Sequence, residues 1–123
     1  MGAIGTAHAL TLRLSQPPAV HWPLWSIPIA SLVFVPIEEY VFRGVLLRWT
    51  WHVVGLIPAL AVSSFAFSAA HGLAPWLWVR CLQGLILGVL YSRTRSLWLC
   101  MVAHYVRNAA LVTVAFALKA KAF

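Results

Sequence analysis

The sequence predicts an all-α integral-membrane protein of about four transmembrane helices in an up-down bundle. Three observations lead there. First, the 123 residues are 63% hydrophobic and 9% charged, against roughly 25% charge in an average soluble domain, and the mean hydropathy is +0.89. Second, four apolar windows, 24–48, 54–72, 75–92 and 96–118, each come close to the about 20 residues that a bilayer span requires. Third, the seven tryptophans (Trp22, Trp25, Trp49, Trp51, Trp76, Trp78 and Trp98) gather near the ends of these windows, where an amphipathic ring meets lipid headgroups.

Residues 1–20 contain Gly, Ser, Gln and the Pro17-Pro18 pair but neither a basic n-region nor a continuous apolar stretch. They read as an N-terminal surface leader rather than a signal peptide. Residues 21–118 form one membrane-embedded core and 119–123 a short basic tail. Within the core the expected breaks are His52 between Trp51 and Val53, then Gly72 through Pro75, then the polar run from Ser92 to Ser96. Such short connections make antiparallel neighbours, and helices satisfy their own backbone groups in lipid. Arg13, Lys119 and Lys121 flank one side of the bundle and Arg48, Arg93 and Arg95 the other, so charge asymmetry leaves the orientation undetermined.

The formal net charge is +7, but the basic residues are scattered singly, without the run or face that nucleic acid requires. Nucleic acid is therefore excluded as a partner, and anionic lipid headgroups are expected instead. Arg outnumbers Lys and Asp is absent, which points to a GC-rich coding sequence and a bacterial cytoplasmic membrane. Cys81 and Cys100 lie in apolar segments with neither CxxC nor metal-ligand spacing, and read as small buried hydrophobes.

Ionisable groups at membrane depth cost about 2.5–3.5 kcal/mol each on insertion scales, so each one marks a candidate site. Glu38 and Glu39 are the chain's two acidic side chains. Glu39 and Arg43 are four residues apart with the acid first, the favourable order for a helical ion pair. Glu38 is rotated by about 100° from Glu39. Arg43 thus holds Glu39 as a structural partner, and Glu38 is left to face a cavity and act as a base. In the second window Phe67 and His71 share a helical face with small residues between them, and in the fourth His104 and Asn108 do the same. A satisfied helix-interface histidine and an interhelical hydrogen-bonded pair are the plainer readings of those positions taken singly.

Taken together, EExxxR (Glu38 to Arg43), FxxxH (Phe67 to His71) and HxxxN (His104 to Asn108), each in a separate window and in that order, resemble the CAAX protease and bacteriocin-processing family, also called ABI or CPBP, of intramembrane proteases. The run from Gln83 to Gly88 looks like that family's glycine-containing motif, whose role here reads as small-residue helix packing. The resemblance covers about residues 36–110. It implies a glutamic-type endopeptidase in which Glu38 and His71 bind and activate a water, His104 and Asn108 stabilise the oxyanion, and Glu39 and Arg43 support them. It implies no cofactor. A zinc-dependent version of the site is the alternative within enzymes, since one carboxylate and two His form a known zinc ligand set. The implied substrate is a membrane-anchored or C-terminal tail segment, such as a protein-sorting signal. Arg107 is a candidate for recognising an anionic group on that substrate. Relatives usually carry more than four spans, so a homo-oligomer or a partner membrane protein is expected to close the cavity. The contrasting readings are a non-catalytic bacteriocin-immunity or binding protein and a small proton-coupled transporter. A transporter needs one accessible carboxylate and has no use for His71, His104 and Asn108.

Overall fold

Apolar helix formers without regular alternation fold as the composition predicts: in the computed structural model, which describes Pro23 and residues 25–72 and 77–121, every described element is helical. Helix α1 (Ser26–Glu39) passes without a break into a π-helical segment, Tyr40–Leu47, and then into α2 (Arg48–Val54). Helices α3 (Leu56–Ala70), α4 (Leu77–Thr94) and α5 (Leu97–Lys121) follow. The described residues thus form four helical arms, the first made of α1, the π segment and α2. The proposed leader, residues 1–20, lies outside the described residues, as do Trp22 and Trp76. Helix α5 runs past residue 118 into the segment read as a tail.

Two boundaries differ from the sequence reading. The first arm does not end at His52 but at Gly55, whose φ of 88° reverses the chain between α2 and α3. That region is open to glycine because no Cβ meets the backbone there. The polar run expected to part the last two arms is helical as far as Thr94, and the break narrows to Arg95 and Ser96. There Arg95 adopts a φ of 55°, and its guanidinium lies 3.9 Å from the ring centroid of Trp51.

The shifted turn at Gly55 also sets the level of the site residues along the bundle. A first arm ending near residue 48 places Glu38 and His71 at different levels, and only a break at Pro36 or a tilted second helix would reconcile them. Instead α1 continues through Pro36. Counting 1.5 Å per residue, Glu38 stands about 24 Å back from Val54 and His71 about 23 Å on from Leu56. Two antiparallel arms of equal length therefore bring the two residues to one level.

In the π segment the backbone carbonyls are taken up by neighbouring hydroxyls. Ser63 Oγ donates to Phe42 O at 3.0 Å, and Thr50 Oγ1 to Leu46 O at 2.7 Å. Such widened turns within helices recur at functional sites. Helix α3 packs on α4, and α1 on α5. The α3–α4 approach is close because Gly84 has no side chain: a Cβ there would lie 2.9 Å from Ser64 Cα and 3.2 Å from Ser64 O.

The distribution of polarity is inverted relative to a water-soluble bundle. Glu39, Arg43, Ser63, Ser68 and His104 are buried, whereas Leu32, Phe34, Ile57, Phe65 and Ile86 are exposed. Among the described residues Leu97–Leu118 is the one segment long and apolar enough by itself to cross a bilayer, and Leu56–Ala70 is a shorter apolar helix. The remaining arms interrupt their apolar runs with Glu38, Glu39 and Arg43, or with Arg80, Gln83 and Arg93.

Candidate active site

Glu39 is fully buried, and its Oε1 accepts from two donors, Arg43 Nη1 at 2.9 Å and His104 Nδ1 at 2.8 Å. The first contact follows from helical spacing; the second joins α1 to α5 and has no sequence signature. Arg43 is equally buried, and its Nη2 donates to Gly84 O at 3.1 Å. Helices α1, α4 and α5 are thereby tied to one charge pair. Removing two charges from water costs several kcal/mol per ion, so the pair persists only with such additional hydrogen bonds.

Phe67, also fully buried, forms the floor beneath this pair. Arg43 Cζ lies 4.6 Å from its ring centroid, a cation–π distance. The rings of His71 and His104 lie 4.6 and 5.7 Å from the same centroid. The sequence places Phe67 on the His71 face but not against Arg43 and His104.

Glu38 faces a cleft and is bordered by both histidines. His71 Nε2 is 3.3 Å from Glu38 Oε1, and His104 Nε2 is 3.8 Å from Glu38 Oε2. The other ring nitrogens are committed: His71 Nδ1–H donates to Phe67 O at 2.8 Å, and His104 Nδ1–H to Glu39 Oε1. Both imidazoles are therefore fixed in orientation with Nε2 turned toward one carboxylate, and proton exchange is directed to that atom on each ring.

Asn108 lines the same cleft. Its Oδ1 accepts from Arg107 Nη1 at 3.2 Å and its Nδ2 donates to Ser31 Oγ at 3.3 Å. One amide hydrogen remains for another acceptor. Ser31 on α1 is thus a positioning residue with no motif to announce it. Arg107 is half-buried rather than deeply buried as its place in the fourth window suggests, and it lines the cleft.

The cleft measures about 760 Å³, within the range of small-molecule and peptide sites. It reaches from Glu38 toward the bundle end where α1 and α4 begin and α3 ends, with Ser26, Arg80 and Ala115 on its walls. Gln83 and Arg80 enter it from α4. In the sequence Gln83 belongs to a run that reads as helix packing, and Arg80 stands outside every motif. No group of three or more His, Cys, Asp or Glu side chains arranged to hold a metal occurs among the described residues. Cys81 and Cys100 are free.

No curated protein and no solved structure shows a significant match to the chain. A family model described as type II CAAX prenyl endopeptidase Rce1-like matches residues 20–110, a stretch that contains Glu38, His71, His104 and Asn108. The match spans most of the chain, and the family is one of membrane-embedded peptidases: the protein belongs to the Rce1-like family of type II CAAX prenyl endopeptidases.

Proposed function

We propose that the protein is an intramembrane endopeptidase of glutamic type, hydrolysing a peptide bond in a membrane-anchored or C-terminal tail such as a protein-sorting signal. The observation that carries this reading is the pair of histidines, each fixed through Nδ1, that present Nε2 to the single cleft-facing carboxylate of Glu38. A water held between Glu38 and His71 loses a proton to Glu38 as its oxygen attacks the scissile carbonyl. The oxyanion is met by His104 Nε2–H, with the imidazolium supported by Glu39, and by the remaining amide hydrogen of Asn108. Glu38 or His71 then returns the proton to the departing amine. These steps call for no cofactor.

A bilayer setting is supported by the apolar exterior and by the tryptophans. Trp25 and Trp78 lie at the cleft end, Trp49 and Trp98 at the other, and all are exposed. The helical path from Trp25 to Trp49 is about 36 Å, between the about 30 Å hydrocarbon core and the 40–45 Å full thickness of a bilayer. On this reading all four arms cross, in a bacterial cytoplasmic membrane, and a second copy or a partner membrane protein closes the open side of the cleft.

Product mass spectrometry on candidate tails co-expressed with wild type and with Glu38→Ala tests the proposal. Wild type is expected to release a defined fragment that the variant does not, and equal fragment yield from both would sink the reading. The alternative within enzymes is a zinc-dependent version of the site. Activity that survives complete chelation excludes it.

A further inference from the structure

The cleft contains more positive charge than the proposed chemistry uses. Arg80 from α4 and Arg107 from α5 both line it. The chain has two acidic side chains; Glu39 is engaged by Arg43 and His104, and Glu38 by the two histidines. Neither cleft arginine therefore has a carboxylate side chain to meet anywhere in the protein. Arg107 uses Nη1 on Asn108, which leaves most of its five donors available.

A second observation points to a ligand. Gln83 is 9% exposed, lines the same cleft, and has neither Nε2 nor Oε1 hydrogen-bonded. Buried amides are rarely left with both ends unpaired. One donor and one acceptor on a planar group match a peptide bond, and they suit it better than a phosphodiester, which offers acceptors only. Arg80 and Gln83 are three residues apart and share a helical face, as do His104 and Arg107.

We propose that Arg80 and Arg107 clamp the free α-carboxylate of the substrate's tail while Gln83 holds a peptide group next to it, so that the cut is measured from the chain's C-terminus. Planar guanidinium forks pair bidentately with a carboxylate. The inference rests on the peptidase reading and narrows its substrates to tails with an unblocked end.

The test uses the full chain in nanodiscs, with binding read apart from cleavage. Two fluorescent tail peptides of identical sequence, one ending in a carboxylate and one in a carboxamide, are titrated against the Glu38→Gln variant by anisotropy. The acid is expected to bind at least tenfold more tightly. Adding Arg80→Gln should bring that ratio near one by weakening the acid alone, Arg80→Lys should restore part of it, and Gln83→Leu should weaken both peptides alike. Equal binding of acid and amide overturns the clamp and needs no substitution of the clamp residues. So does an Arg80→Gln effect equal on both peptides, or loss in that variant of phosphatidylglycerol binding while the peptides remain indistinguishable. If wild type cuts neither peptide and Glu38→Gln still selects the acid, the peptidase reading falls and the measured cut with it, and only the carboxylate contact of the clamp stands.

Discussion

At the scale of single residues, the adjacent carboxylates of Glu38 and Glu39 differ because of what each touches. Glu38 opens onto the cleft between two Nε2 atoms, whereas Glu39 is enclosed with Arg43 and His104. Glu38→Gln is therefore expected to lower turnover by about 10²–10⁴-fold, the usual contribution of a positioned base, with the helical circular dichroism unchanged. Glu39→Gln leaves a buried guanidinium without its counter-charge, a change that costs about 3–5 kcal/mol where measured. Its expected signature is a lowered midpoint in thermal unfolding of the detergent-solubilised protein, ahead of any specific kinetic effect. Ser31→Ala frees the Asn108 amide that it holds from α1. A fall in kcat with little change in KM is the expected result, and a change confined to KM would assign Asn108 to substrate binding instead. The two carboxylates and the Glu39–Arg43 pair are legible from composition and helical spacing. The His104 bond to Glu39 and the Ser31 bond to Asn108 are not, because each joins residues separated by most of the chain.

At the scale of elements, the turns and close approaches decide where these groups meet. Gly55 sets the length of the first arm and so brings Glu38 level with His71. The sequence marks a break in that region, but His52 is the more polar residue and Gly55 the one with the required conformation. Gly84 sets the spacing of α3 and α4. Gly84→Ala would press a methyl group onto Ser64 backbone at 2.9 Å, and the backbone cannot swing aside. It is expected to destabilise by about 1–3 kcal/mol and to loosen Arg43, which bonds the Gly84 carbonyl. At Gly88 the corresponding neighbour at 2.8 Å is the end of the Leu60 side chain, which can turn away, so Gly88→Ala should cost less. Thermal unfolding of the two variants side by side checks the order.

At the scale of the whole molecule, the Glu39–Arg43 pair is buried and much of the apolar surface faces outward, while Arg48, Arg93 and Arg95 are exposed. The proposed bilayer setting makes the tryptophans a direct probe: bromine placed near the headgroups should quench fluorescence more strongly than bromine at the chain ends of the same lipid. The reverse order would place the aromatic residues in the hydrocarbon centre and contradict two belts about 36 Å apart. The all-helical class was legible in composition and window length. The count of four arms was legible too, because apolar runs and their breaks are local properties. Among the described residues the arm that meets the span criterion by length and hydropathy, Leu97–Leu118, itself carries His104, Arg107 and Asn108, whereas Leu56–Ala70 is apolar but shorter.

The sequence by itself determined that the chain is helical and apolar, that two adjacent acids and one nearby arginine are set apart from everything around them, and which faces of the later helices carry His71, His104 and Asn108. These follow from composition and from a 3.6-residue period, which act within one element. Only the tertiary structure decided that both histidines turn Nε2 to Glu38, that Glu39 links Arg43 to α5, and that Arg80, Gln83 and Arg107 share the cleft. The physical reason is reach. Hydrogen bonds and buried charges are satisfied across helices, and the partner of a side chain is selected by how the arms reverse and how closely glycine lets them approach, not by its neighbours in the chain.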